Sequence, residues 1–438
     1  MNAGLFEFFY TRQFGQYDNG HRAMALNLKE CHGFVKFGLG LVLRCFFIFW
    51  LVKFMGNSES KDKNGYINFD SSIPMSPISG FRPAGEKLYK KPLSEEAKSR
   101  KIVKGAFFGV WSMTVPDGPL PVARTGQCYV YDAETESLVI AYGRDFNGNY
   151  LNDCWKLDLK NFRWSLINSA LLKPRTNVSA VLLNRLMIMF GGSKDTQYFG
   201  ELHGVDVETG EMIVFDGFDS IASPRMNSQL FVDSHSVYIW SGYDGRTCND
   251  LIHYDIQKQT YTQLPVDMVG RSAASSTPGI TKKEFYIFGS AKIDGLVKFC
   301  TKDRSFHYVK CTGTEPPTGL CRVAMVVADE FLFVIGGQRS CDYTYVLALD
   351  IKRNHWFPFH IKPDGKTVSV EDGRINKSGF FLLPREHSAA LGYSNTHRAL
   401  VSVMGSHIVY PPTIQMIKIG NALGILHLRS DLLDMLMY

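Results

Sequence analysis

Six arginines stand at stations along the chain, Arg124, Arg175, Arg225, Arg271, Arg322 and Arg385, at a step of about 50 residues up to Arg322. A guanidinium is a planar fork of donors that grips a carboxylate through two hydrogen bonds, so a set of them on one surface suits an acidic peptide. The same fork suits a carboxylate or carbonyl of the chain's own fold, and residue type alone leaves both uses open. Downstream of these arginines come aromatic and charged residues in short stretches that follow a glycine: Arg144 and Tyr150, Tyr198, Tyr243 and Arg246, Arg339 and Tyr343. Tyr and Arg are the side chains that most often anchor protein interfaces. Catalysis has no comparable footing. There is no phosphate-cradling glycine loop, no nucleophile elbow and no pair of histidines or cysteines at ligand spacing, so the expectation is no catalytic residue, no metal and no cofactor. A net charge of +6 over 438 residues gives no reason to expect a nucleic acid partner.

The elements that position these residues repeat. A glycine closes an apolar run at Gly143, Gly192, Gly242, Gly289, Gly337 and Gly405, and a large aromatic ends a unit at Trp111, Trp164, Phe215, Tyr261, Tyr308 and Trp356. Between them, runs such as Val237–Trp240 and His253–Asp255 read as short strands bounded by turn residues. Each unit is therefore expected to be a four-strand antiparallel sheet that needs its neighbours to bury both faces. In a four-strand meander, the loop entering strand one and the loop joining strands two and three emerge at the same end. The arginines and the post-glycine stretches should thus share one face. At 45% hydrophobic and 13% aromatic, the composition supplies a large core for such an array.

This pattern resembles the kelch repeat, on the glycine pairs Gly191-Gly192 and Gly336-Gly337, the Tyr254-Asp255 turn and the unit-ending aromatics. The resemblance implies an all-β fold, a six-bladed kelch-type β-propeller over residues 106–420. The first aromatic precedes the first whole unit and the last unit lacks one, so the Trp111 strand is expected to complete the sixth blade. Four units supply one glycine where the pattern has two, at Tyr142-Gly143, Ser241-Gly242, Gly289-Ser290 and Gly405-Ser406, and a different end to the second strand is expected there. The function implied is a non-enzymatic interaction scaffold that binds a partner protein or acidic peptide on the arginine face. The alternative is an exported carbohydrate-binding or galactose-oxidase-like propeller.

Nine cysteines with no CxxC pair read as reduced thiols, which favours a cytoplasmic protein over an exported one. Residues 1–54 include an apolar stretch from Phe34 to Phe54, interrupted by Lys36, Arg44 and Lys53, which reads as a single-span anchor or as an extension of the gene model. Met55-Gly56 opens a myristoylation-type pattern, making Gly56 a lipidation candidate if translation starts at Met55, with peripheral membrane attachment as the consequence. Residues 55–105 are rich in Ser, Pro and Lys and read as a tether. The insertion at residues 357–384 enters a first strand, so it is expected on the loop face, where it would gate a mouth or touch a partner. Leucines in the tail 421–438 fall at roughly helical spacing.

Overall fold

In the computed structural model, the described residues run from 108 to 428, apart from 216–221, 291–292, 294, 339–342, 385 and 406–412. Residues 1–54, the Gly56 pattern, the 55–105 tether, Arg339, Arg385 and the end of the tail lie outside them.

Strands form where apolar residues cluster and stop where an aspartate can turn the chain. Asp158, Asp206, Asp255 and Asp350 each end the third strand of a unit. The first three accept the N–H two residues on, from Lys160 at 2.7 Å, Glu208 at 2.9 Å and Gln257 at 3.1 Å, and Asp350 accepts that of Arg353 at 3.0 Å. A short side-chain acceptor thus satisfies backbone donors that the ladder leaves over.

Six sheets of four or five strands result among the described residues, each antiparallel through its four main strands. Sheets 1 to 4 have four strands each, from Cys128–Asp132 to Arg163–Asn168, Ser179–Leu183 to Met212–Val214, Gln229–Val232 to Thr260–Leu264, and Ser275–Pro278 to Ser305–Tyr308. Sheet 5 runs from Ala324–Ala328 to His355–Pro358 and carries the two-residue strand Thr312–Gly313 on its outer edge. Sheet 6 comprises Ala390–Ser394, Ala399–Val403 and Ile414–Lys418, followed by the strand Gly109–Thr114 from the other end of the described chain, with Trp111 opposite Ile417. The first strand of each sheet neighbours that of the next, and that of sheet 6 neighbours that of sheet 1. Second strands are buried along nearly their whole length; Ser137–Ala141, Ser236–Trp240, Phe331–Ile335 and Ala399–Val403 are buried at every position.

A chain of backbone hydrogen bonds ties the sheets together at the entry to their first strands. Asn177 N–H donates to Gly126 O, Asn227 N–H to Asn177 O, Arg322 N–H to Ala273 O and Ser388 N–H to Arg322 O, at 2.8–3.0 Å. Gln127 Nε2 returns to Ser388 O at 2.7 Å. All six stations, Gly126, Asn177, Asn227, Ala273, Arg322 and Ser388, have left-handed backbone with φ between 53° and 68°. This belt sets the true register, and it corrects two expectations. Arg124, Arg175, Arg225 and Arg271 each lie two residues before their station; the equivalent residues of sheets 5 and 6 are Leu320 and Glu386, not Arg322 and Arg385. The outermost strands likewise place Trp164, Met212, Tyr261, Phe306, Trp356 and Trp111 opposite the residue before the third strand's end. Phe215 and Tyr308 lie beyond that register; Tyr308 is 61% exposed, while Phe306 packs tilted against Trp240, ring centroids 4.5 Å apart.

The second-strand ends also differ from expectation. Tyr142, Ser241 and Met404 keep positive φ, at 58–60°, just as Gly191 and Gly336 do at 71° and 74°, so the backbone turn is the same with or without the first glycine. The second position is more demanding, because Gly143, Gly192, Gly242, Gly337 and Gly405 hold φ between 101° and 109°, beyond the left-handed well that other residues reach.

At the opposite end of the sheets, Lys282 of sheet 4 reaches Glu134 of sheet 1 at 2.6 Å. Nearby, the Glu136 carboxylate of sheet 1 accepts from Thr396 N–H at 3.0 Å, Thr396 Oγ1 at 3.1 Å and Ser394 Oγ at 3.1 Å, all of sheet 6. The insertion braces sheet 6 from outside. Its strand Ile361–Pro363 pairs in parallel with Gly109–Trp111, and Thr367 Oγ1 accepts Met113 N–H at 2.9 Å. Its second half, Phe381–Pro384, pairs with Tyr343–Thr344 in the loop between the second and third strands of sheet 5. Val368, Ile375, Phe381 and Leu383 are buried there, which explains why the segment packs down instead of standing free. The helix Ala422–Leu428 buries Leu423 and Leu426 in the same core.

Candidate functional site

Arg124, Arg175, Arg225 and Arg271 are inside the protein, and Arg322 is half-buried. Arg124 is fully buried; its Nη1 and Nη2 take the two carboxylate oxygens of Asp153 at 2.5 and 2.9 Å, and Nη1 and Nε reach Tyr142 O and Val122 O at 3.0 and 2.9 Å. Arg225 repeats the arrangement with Asp250 at 2.5 and 2.8 Å, Ser241 O and Ser223 O. Arg175 donates to Glu201 at 2.7 Å and to Gly191 O and Lys173 O, and its Cζ lies 3.8 Å from the centroid of the Phe199 ring. Arg271 donates to Gly295 O at 2.6 Å, where sheets 1 to 3 place an acid.

Burial pushes the carboxyls of Asp153 and Glu201 up, but hydrogen bonds and charge from Arg124 and Arg175 outweigh it, so both titrate below the ordinary range. For Arg124, Arg175 and Arg225, the carboxylates they were suited to grip are thus the chain's own. Each guanidinium binds the second-strand turn to the entry of the third strand and thereby fixes the root of the loop between them. The acids were missed because they stand 25 to 29 residues downstream, where Asp250 reads as a turn residue.

What these brackets hold up is exposed. In sheet 1, Arg144 and Phe146 face solvent, Phe146 at 63%, and the Arg144 guanidinium lies 5.3 Å from the Tyr150 ring. Tyr150 crosses to sheet 2: its hydroxyl donates to Asp195 Oδ1 at 3.2 Å and accepts Asp195 N–H at 3.0 Å, while Lys194 Nζ lies 5.8 Å from its ring. Sheet 2 meets sheet 3 through Tyr198 and Tyr243, edge to face at 6.3 Å. The aspartates here are engaged: Asp145 caps Asn149, and Asp244 accepts from Ser223 Oγ at 2.9 Å. Burial, then Tyr243 and Asp244, raises the Tyr198 phenol, which stays protonated and able to donate. Arg246 is exposed at the tip of the sheet 3 loop. The structure therefore brings Arg144, Tyr150, Tyr198, Tyr243 and Arg246 into one row across three sheets. Tyr343 stands apart in sheet 5, with the Arg374 guanidinium of the insertion 5.8 Å from its ring.

Among the described residues no group of three His, Cys, Asp or Glu could hold a metal ion. The buried His203 accepts or donates one hydrogen bond with Tyr142 Oη at 2.7 Å, and burial lowers it to about 4, leaving it neutral. Cys128, Cys154, Cys248, Cys300, Cys311 and Cys321 are free thiols.

Antiparallel four-strand sheets with a left-handed glycine turn after strand two, an aspartate closing strand three and large side chains on strand four define the kelch class, and this chain is a kelch-repeat protein. Residues 109–290 match the family model described as the KLHDC2/KLHL20/DRC7 Kelch-repeats domain. The chain is 35% identical over 104 residues to acyl-CoA-binding domain-containing protein 4 of Arabidopsis thaliana, covering 23% of this chain and 15% of that one. It is 22% identical over 244 residues to Kelch domain-containing protein 10 of Homo sapiens, covering 52% and 55%. Against the leucine-zipper-like transcriptional regulator 1 homolog of Drosophila melanogaster it is 24% identical over 237 residues, covering 48% and 24%. The chain thus spans less than two thirds of the length of each of these relatives.

Proposed function

We propose that the six sheets are blades of one ring, closed by the strand Gly109–Thr114, and that the ring is a non-enzymatic scaffold whose protein partner docks on the loops of sheets 1 to 3. The ring reading is supported by Gly405 N–H of sheet 6 donating to Arg124 O of sheet 1, the bond that Gly143 and Gly192 make to Arg175 and Arg225 of the sheets that follow them. The Lys282–Glu134 pair, joining sheets three apart in order, fits turns that converge at the far mouth of such a ring.

The docking reading rests on one observation above others: the aromatic row Tyr150–Tyr198–Tyr243 is half-buried, keeps part of its surface in solvent and is engaged in contacts between blades. Preformed aromatics lose little freedom on binding, which is what an interface anchor requires. Arg144, Lys194 and Arg246 flank the row and can grip carboxylates, while Asp145, Asp195 and Asp244 are held by hydrogen bonds within the loops, so an extended peptide with acidic side chains is the partner we assign to this surface. The free thiols support a cytoplasmic setting, with any membrane attachment made through the segment that includes Gly56.

The test is affinity capture from lysate with the full chain, comparing wild type with Tyr198→Ala/Tyr243→Ala. A specific partner should be lost by more than tenfold from the variant, as for an anchor worth about 2 kcal/mol. Equal recovery on a folded variant would refute the site.

A further inference from the structure

The register belt exposes an inversion. At the position where sheets 1 to 4 carry a buried arginine and sheet 5 carries buried Leu320, sheet 6 carries Glu386, only 9% exposed. Equivalence is fixed by backbone: Gly337 N–H donates to Glu386 O as Gly143 N–H donates to Arg175 O. Its side chain enters a cavity of about 20 Å³, room for about one water. Leu383, Leu391, Leu400 and Ile417 line the cavity, with Ser402 and Gln415 its polar groups. Gln415 Nε2 donates to Glu386 Oε1, and Gln415 Oε1 accepts from Trp111 Nε1 at 3.2 Å. A single side-chain path therefore runs from this carboxyl to the strand Gly109–Thr114, which enters sheet 6 from the other end of the chain.

No cation faces Glu386 among the described residues. The cavity walls from Ile335, Leu383, Leu391, Leu400 and Ile417 are apolar, Ser402, Gln415 and Trp111 are neutral, and the adjacent His387 lies toward Ser388, 3.4 Å from Nδ1 to Oγ. Its chain neighbour Arg385 lies outside the described residues. We propose that Glu386 is a proton-controlled latch on the closing strand: protonated, it stays in the cavity and holds Gln415 against Trp111; ionised, it loses its proton to solvent and must leave the cavity, releasing that strand. Burial raises this carboxyl to about 8 against the lowering hydrogen bond from Gln415, which puts the transition in reach of mildly alkaline solution.

Hydrogen exchange on the full-length protein between pH 6.5 and 9.5 tests it. The quantity is the protection of the peptide covering Gly109–Thr114 relative to that covering Ser236–Trp240, a ratio in which intrinsic base catalysis cancels. Wild type should lose this relative protection by about tenfold per pH unit from 6.5 up to about 8 and level off above it. Glu386→Gln keeps the shape without the charge, and Glu386→Leu copies sheet 5; in both the ratio should be flat. A flat ratio in wild type overturns the latch whatever the variants do, and so does a variant that folds and follows the wild-type profile.

Discussion

Removing the carboxylate of Asp153 should destabilise the protein far more than its position near the surface suggests. Asp153 is 20% exposed, but its partner Arg124 is fully buried, and Trp155 Nε1 also donates to it at 2.7 Å. In Asp153→Ala the guanidinium keeps Tyr142 O and Val122 O but has no counterion, and burying an unpaired charge costs about 3 kcal/mol or more. Arg124→Leu, imitating sheet 5, leaves an aspartate that solvent can reach, so its cost should be smaller, about 1 to 2 kcal/mol. The double variant should cost less than the sum, with a coupling of about 1.5 kcal/mol or more. Urea denaturation reads this directly: with a slope near 3 kcal/mol/M, Asp153→Ala moves the midpoint down by about 1 M. Acid adds a sign check. Asp153 titrates below its ordinary value when folded, so its contribution is present above the unfolded pKa near 4 and lost as pH falls through the folded one. Asp153→Ala should therefore show less acid sensitivity than wild type. Additive single variants, or an Asp153→Ala midpoint within error of wild type, would refute the bracket.

Glu136→Gln removes the charge and turns one of the two acceptor oxygens that tie sheet 1 to sheet 6 into an NH2 donor; burial opposes ionisation there, but donors from Thr396 and Ser394 outweigh it and hold the carboxyl below its usual range. The variant should lose about 1 to 3 kcal/mol at neutral pH and converge with wild type as pH drops below about 4, measured by thermal melts across pH. Trp111→Ala should cost about 3 to 5 kcal/mol and expose the edge of Ile414–Lys418, seen as a lower melting point with concentration-dependent aggregation. Burial raises the Cys128 thiol to about 12 and pushes Cys154 higher still, so a thiol reagent at pH 8 should spare both until denaturant is added, while partly exposed Cys300 reacts.

The period, the glycine turns and the strands were legible because each is set by local chemistry: backbone that must turn left-handed, and side chains that must alternate. Register was harder to read. Arg322 and Arg385 look like members of the arginine series because they sit near the expected spacing, yet the belt of left-handed residues puts Leu320 and Glu386 in their place. Tyr142, Ser241 and Met404 adopt the turn without glycine, since the tertiary contacts around a buried second strand outweigh a local cost of about 1 kcal/mol. The loop residues Arg144, Tyr150, Tyr198, Tyr243 and Arg246 were legible as a group because meander geometry puts post-glycine loops at one end. The arginine brackets beneath them were not, because each joins residues on different strands; the signal that could have found them is that the acids Asp153, Glu201 and Asp250 recur at steps of 48 and 49 residues.

The most direct measurement places a photo-crosslinking amino acid, in turn, at Phe146, at Tyr243, at Lys282 on the turns of the opposite end, and at Tyr308 on the outer edge of sheet 4, in the full chain expressed in cells. The account predicts one shared partner adduct from Phe146 and Tyr243 and none from Lys282 or Tyr308. That same adduct arising from Lys282 or Tyr308 but not from the loop positions would contradict it.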